Sequence, residues 1–211
     1  MSQNSWAVVV PVKKTSIAKT RLAPLPPTAR SRLARAFACD TVTAALNCAA
    51  VHRVLVVTSD PVAAELVSRL GADVVPDVPA AGISPALEYA ESVLRERYGC
   101  HRIVALSSDL PAVTPDTLAA VFVASAGQSY WLVADAAGEG TTALGAADVP
   151  LAPAFGNRSR WAHQAQGAAD LAGGFERVRR DVDTIHDLRV AARLGLGTHT
   201  ATVVRTLPGW Q

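Results

Sequence analysis

WAVVVPVKKTSIAKTRLAPL, Trp6 to Leu25, joins an apolar run to a basic loop. Residues 7–10, AVVV, are too few for a helix and carry no polar face, so they read as a strand buried on both sides. Pro11 breaks the run, and Lys13, Lys14, Lys19 and Arg21 follow it closely. Of the 20 basic residues in the chain only three are lysines, and all three fall in this loop.

Working outward, residues 53–58 (RVLVVT), 72–75 (ADVV), 102–106 (RIVAL) and 130–134 (YWLVA) repeat the pattern of short β-branched runs bounded by turn residues. Between them, segments 28–50, 61–70, 84–98 and 115–125 have helical spacing; in the first, Leu33, Phe37, Val42 and Leu46 mark one face. Strand and helix in regular alternation require crossover connections and a largely parallel sheet covered on both faces. The fold class is α/β, a sandwich.

Beyond residue 135 the alternation fails. GEGTTALGA, 138–146, reads as an extended piece after a glycine turn, and LAPAFGNRSRWAHQAQG, 151–167, as a loop leading into a short helix. ERVRRDVDT, 176–184, reads as a return to strand, and IHDLRVAARLGLG, 185–197, as a helix ending at Gly195 or Gly197. Residues 198–211 read as a trailing strand or a flexible C-terminal tail on one domain spanning 1–211. That tail is apolar and ends near Trp210, which would suit a homodimer contact.

Composition excludes several classes. A chain of 211 residues with 50% hydrophobic content can bury a sizeable core. No apolar run approaches the roughly 18 residues a bilayer span needs, and the N-terminus lacks a secretory pattern, so a cytoplasmic protein without a membrane partner is expected. A net charge of +2 is too small for a nucleic-acid binder, and aromatics at 5% offer no stacking platform for RNA. Cys39, Cys48 and Cys100 are odd in number and isolated, which points to buried free thiols. The five histidines lack ligand spacing, which disfavours zinc or iron.

In open α/β sheets ligands sit outside the carboxyl ends of the strands. The Lys/Arg loop follows strand one, Thr58, Ser59 and Asp60 follow strand two, PDVPAAGISPAL follows strand three, and SSDLPA with Asp109 follows strand four. DVDT, with Asp181 and Asp183, follows the strand expected near 178. Cations from one strand end and carboxylates from two others would meet at one rim, a combination suited to a polyphosphate with a divalent cation. Magnesium binds through one or two carboxylates plus substrate phosphates. Plainer roles exist for each piece: a solvated basic loop, a turn at Asp109, and a Thr184/Asp187 capping box. Neither the P-loop nor the G-x-G-x-x-G signature is present.

VVVPVKKTSIAKTRLAP, SSDLPAVTPD, GEGTTAL with AFGNRSRWAH downstream, and RRDVDTIHDL together resemble the 2-phospho-L-lactate or phosphoenolpyruvate guanylyltransferase family of deazaflavin coenzyme F-420 biosynthesis. The resemblance spans about residues 6–195. It implies a three-layer α/β/α sandwich with a mixed, mainly parallel sheet, like that of nucleotide-diphospho-sugar transferases. It also implies transfer of GMP from GTP to a small phosphorylated acid, with release of pyrophosphate and with Mg2+ as cofactor. By that resemblance Lys19 and Arg21, with Lys13 assisting, would bind GTP phosphates; Asp109, Asp181 and Asp183 would hold magnesium; and Thr141, Gly156 and Ser159 would hold the acid. Gly82, Ser84 and Ser108 are further nucleotide contacts it suggests, while Leu87-Glu88 stands where that family usually has Leu-Asn. Two other readings remain: another nucleotidyltransferase of the same fold using CTP or a sugar phosphate, or an inactive GTP-binding regulatory subunit.

Overall fold

The structure, a computed structural model, describes residues 5–13, 22, 24–78, 80–207, 209 and 210. Among these residues seven strands form one sheet: β1 (Trp6–Val12), β2 (Val51–Thr58), β3 (Asp73–Val75), β4 (Arg102–Leu106), β5 (Tyr130–Ala134), β6 (Thr141–Ala147) and β7 (Ala169–Asp170). Their order across the sheet is β3-β2-β1-β4-β6-β5-β7. The first four run parallel, β6 lies antiparallel between β4 and β5, and β7 pairs parallel with β5. A mixed, mainly parallel sheet results, as expected.

The alternation of side chains along β1 shows why its apolar run is unbroken. Val8, Val10 and Val12 enter one hydrophobic cluster and Ala7 and Val9 the other, so each face of the strand meets its own core. The first cluster is completed by α1 (Pro27–Leu46), α2 (Pro61–Leu70) and α4 (Pro115–Ala124), through Val42, Val67 and Phe122 among others. The second packs under α3 (Ile83–Tyr98), whose Ala86, Leu87, Ala90 and Leu94 are buried. At the heart of the first cluster Trp6 stacks on Phe122 with centroids 5.4 Å apart, and Trp131 meets Trp6 edge-on at 5.6 Å. Gly145 makes room for this: a Cβ there would fall inside the Trp131 ring.

Helix ends follow local chemistry. Asp60 caps α2, its Oδ1 accepting the Val62 and Ala63 N–H groups at 3.0 and 3.1 Å, and Gly71 closes that helix in the left-handed conformation at φ +105. Cys39, Cys48 and Cys100 are buried free thiols, and burial pushes the Cys39 thiol up to about 11.

Two expectations from the sequence change. Residues 176–184 do not form a strand: α6 (Glu176–Arg179) is one helical turn, followed by an extended approach to α7 (Ile185–Leu194). Val178 is fully buried in the core against the sheet, so the apolar residue that suggested a strand is satisfied by a helical turn instead. The C-terminal segment is neither strand nor tail over 198–204, where α8 (Thr198–Val204) docks on α1. Asp40 of α1, buried at 4% exposure, accepts the N–H groups of His199 and Thr200 at 3.0 and 2.8 Å and holds the start of α8. Trp210 is half-buried and packs against a third cluster built on Leu33, Phe37, Leu188 and Val204. α5 (Ser159–Ala165) is the short helix expected, and β7 is an edge strand the sequence did not reveal. Among the described residues no helix is long and apolar enough to cross a membrane.

Candidate active site

A cleft of about 470 Å3 opens beyond the carboxyl ends of β1 and β4, where strand directions change across the sheet. Lys13, the first residue after β1, lines it and is exposed. Lys14, Lys19 and Arg21 lie outside the described residues.

After β4 the chain turns through Ser107, Ser108 and Asp109, all lining the cleft. Ser107 is held by its N–H donating to the Thr142 carbonyl at 2.8 Å. The turn is anchored from below, because the Leu110 N–H donates to the buried Thr41 hydroxyl at 3.2 Å and Gly197 donates to the Pro111 carbonyl at 2.8 Å. The Asp109 carbonyl accepts the Val182 N–H at 3.1 Å, which places Asp181 and Asp183 beside the same opening.

The capping box foreseen at Thr184 exists, and it separates two roles. The Thr184 side chain accepts the Asp187 N–H at 3.2 Å while Asp187 Oδ2 accepts the Thr184 N–H at 2.9 Å. Burial raises the Asp187 carboxyl, but the hydrogen bonds from Thr184 and Asp183 and the Arg180 charge outweigh it and hold the group below its ordinary value. Helix capping therefore explains Thr184 and Asp187, while Asp181 and Asp183 line the cleft.

Thr141, Gly156 and Ser159, distant in sequence, line the same cleft. Thr141 begins β6, Gly156 has φ +155 and Ser159 opens α5. The two serine and threonine side chains are buried at 2% and 6% exposure. Ile83, the first residue of α3, lines the cleft, but Gly82 and Ser84 do not. Gly82 precedes the helix at φ +116, and the Ser84 hydroxyl accepts the Phe155 N–H at 3.0 Å, so it fixes the loop that carries Gly156. Glu88 is exposed on α3 and also lies off the cleft wall.

Two residues had no sequence signal. Asp135 lines the cleft and an adjoining hollow of about 300 Å3, its two oxygens accepting the N–H groups of Glu139 and Gly140 at 2.9 and 2.8 Å. His163 is wholly buried behind Thr141, with Nδ1 at 2.9 Å from the hydroxyl and Nε2 accepting the Ala154 N–H at 2.8 Å. Spacing along the chain could have flagged only that Ser159 and His163 share a helix face.

Among the described residues no three His, Cys, Asp or Glu side chains stand together as a ready-made metal cage. The chemistry of the donor set nevertheless suits a hard cation: three carboxylates around one opening supply oxygen ligands, and phosphate oxygens would complete the shell.

The sequence profile of a family described as "Guanylyl transferase CofC like" matches residues 6–170. The chain belongs to this family. It is accordingly an enzyme, a nucleotidyltransferase. It is 48% identical over 206 residues to a phosphoenolpyruvate guanylyltransferase of Geodermatophilus obscurus, covering 95% of this chain and 94% of that one. It is 47% identical over 208 residues to a protein of the same name from Thermomonospora curvata, covering 98% and 91%. Among solved structures, one described as a nucleotide-diphospho-sugar transferase from Desulfovibrio desulfuricans superposes with TM-score 0.66 at 17% identity, covering 95% of this chain and 94% of that one. A nucleotidyl transferase from Methanothermobacter gives TM-score 0.58 at 22% identity, covering 90% and 98%. These two show that the CofC-like chain has the nucleotide-diphospho-sugar transferase type of fold.

Proposed function

We propose that the enzyme transfers GMP from GTP to a phosphorylated three-carbon acid, phosphoenolpyruvate first among them, and releases pyrophosphate. The observation that carries the reading is the convergence of three carboxylate residues, Asp109, Asp181 and Asp183, with Thr141, Gly156 and Ser159 on one cleft. The near-full-length likeness to proteins named for that reaction supports the choice of donor and acceptor. By the same reading the product enters coenzyme F-420 assembly, with 2-phospholactate as the alternative acceptor, and the protein works in the cytoplasm.

The acid's phosphate oxygen is already anionic, so no general base is required for its attack on the α-phosphorus of GTP. One P–O bond forms and the bond to the departing pyrophosphate breaks. The protein's task is in-line placement of the two substrates and compensation of charge on the transferring group. Lys13 lines the same cleft and would meet the phosphates, and Lys19 and Arg21 of the same sequence segment are assigned to the leaving pyrophosphate. Thr141 and Ser159 offer hydroxyls, and Gly156 a backbone N–H, to the acid. Magnesium held by Asp109, Asp181 and Asp183 would neutralise phosphate charge.

Purified protein incubated with each of the four nucleoside triphosphates, magnesium and each candidate acid, followed by mass spectrometry of products, tests donor and acceptor together. A guanylylated phosphoenolpyruvate is expected. Turnover with CTP and a sugar phosphate, or tight GTP binding without turnover, would overturn the proposal. A Lys19→Ala variant that kept the parental rate at saturating GTP would remove the phosphate role of the basic loop.

A further inference from the structure

The Thr141 hydroxyl has one hydrogen to give, and its neighbours decide where that hydrogen goes. Among the described residues its hydrogen-bond partner is His163 Nδ1 at 2.9 Å. The other ring nitrogen, Nε2, lies 2.8 Å from the Ala154 N–H, a group that can only donate. Nε2 must therefore present a lone pair. The ring is fully buried, and burial holds its pKa down to about 4, so at neutral pH it is uncharged and carries its single proton on Nδ1. Nδ1–H donates to Thr141 Oγ1, whose own hydrogen then turns away from the ring.

We propose that His163 is a positioning residue that fixes the Thr141 hydroxyl as a donor toward an anionic oxygen, phosphate or carboxylate, of the acid in the cleft. This rests on the function proposed above. The surroundings of His163 support it. Its helix also carries Ser159 one turn earlier, its Nε2 holds the loop leading to Gly156, and Phe155 packs edge-on against the ring at 5.0 Å. One imidazole thus ties together the three elements that bear the acid-binding trio. A threonine free to rotate would spend part of its time presenting a lone pair to an anion, which repels it; a hydroxyl already engaged as an acceptor does not.

Two substitutions divide the ring's functions. His163→Asn can keep a donor near Thr141 but loses the acceptor for Ala154; His163→Gln can keep the acceptor but loses the donor. The expected result is a KM for phosphoenolpyruvate raised roughly tenfold in His163→Gln and by a distinctly smaller factor in His163→Asn, with the KM for GTP unchanged in both. In a Thr141→Val background, His163→Gln should add no further loss. Equal effects of the two substitutions on acid KM, or additive losses with Thr141→Val, would reduce His163 to packing and overturn the inference. The tautomer is read apart from turnover by long-range proton–nitrogen NMR of the 15N-histidine-labelled parent. A proton on Nδ1 is expected, and a proton on Nε2 overturns the proposal even if a variant fails to fold. A parent without guanylyl transfer to any acid would sink the proposed function instead, and the NMR result would still decide the tautomer.

Discussion

The Val182 N–H donates to the Asp109 carbonyl across 3.1 Å, and this bond sets two separate acidic segments at one opening. It also gives Asp183 a place in the cleft while its neighbour Thr184 caps α7.

The two roles are separable by mutation. Asp183→Asn should lower pyrophosphate release by about a hundredfold or more with little change in melting temperature, since it removes charge at the reacting phosphates. Thr184→Ala should do the reverse, costing about 1 kcal/mol of stability with activity largely kept. Calorimetry beside a pyrophosphate assay checks both, and an inactive Thr184→Ala with unchanged stability would contradict this division.

The buried His163 makes stability depend on pH. Its pKa is lowered from 6.5 to about 4 in the folded chain, so the unfolded chain binds the proton first. Above pH about 6.5 both states are neutral at this ring and nothing is lost. As pH falls from there toward 4, unfolding gains by up to about 3 kcal/mol. Asp187, held below its usual value, contributes stability above the ordinary carboxylate range and loses it at still lower pH, outside this window. Melting temperatures between pH 7.5 and 5 should therefore fall more steeply for the parent than for His163→Asn. Parallel slopes would count against a neutral buried ring.

Gly145→Ala places a methyl group inside the Trp131 ring on a central strand. The strand is paired on both sides and cannot retreat, so Trp131, Trp6 and Phe122 must shift. A cost of about 1–3 kcal/mol is expected, seen as a melting temperature lower by several degrees. A variant as stable as the parent would mean the aromatic cluster repacks freely.

Asp40→Ala removes the acceptor for the His199 and Thr200 amides. We expect a loss of about 1–2 kcal/mol and faster hydrogen exchange confined to 198–204 and the α1 residues beneath it. Unchanged protection of α8 would show that its apolar contacts with Leu33 and Phe37 suffice.

The sequence by itself determined the elements whose residues answer to short-range rules. β4 and β5 match the apolar runs 102–106 and 130–134, and α2 coincides with the segment 61–70, because strand alternation, caps and glycine stops act within a few residues. The same rules misread 176–184, where Val178 is apolar for a packing reason rather than a strand reason, and α8, whose anchor Asp40 lies about 160 residues away. Only the tertiary structure decided that β6 enters the sheet antiparallel between β4 and β5, that Asp135 faces the cleft, and that His163 stands behind Thr141. Those relations are made by groups that meet after the chain has closed on itself. Residue type and spacing carry no record of which nitrogen will face which hydroxyl.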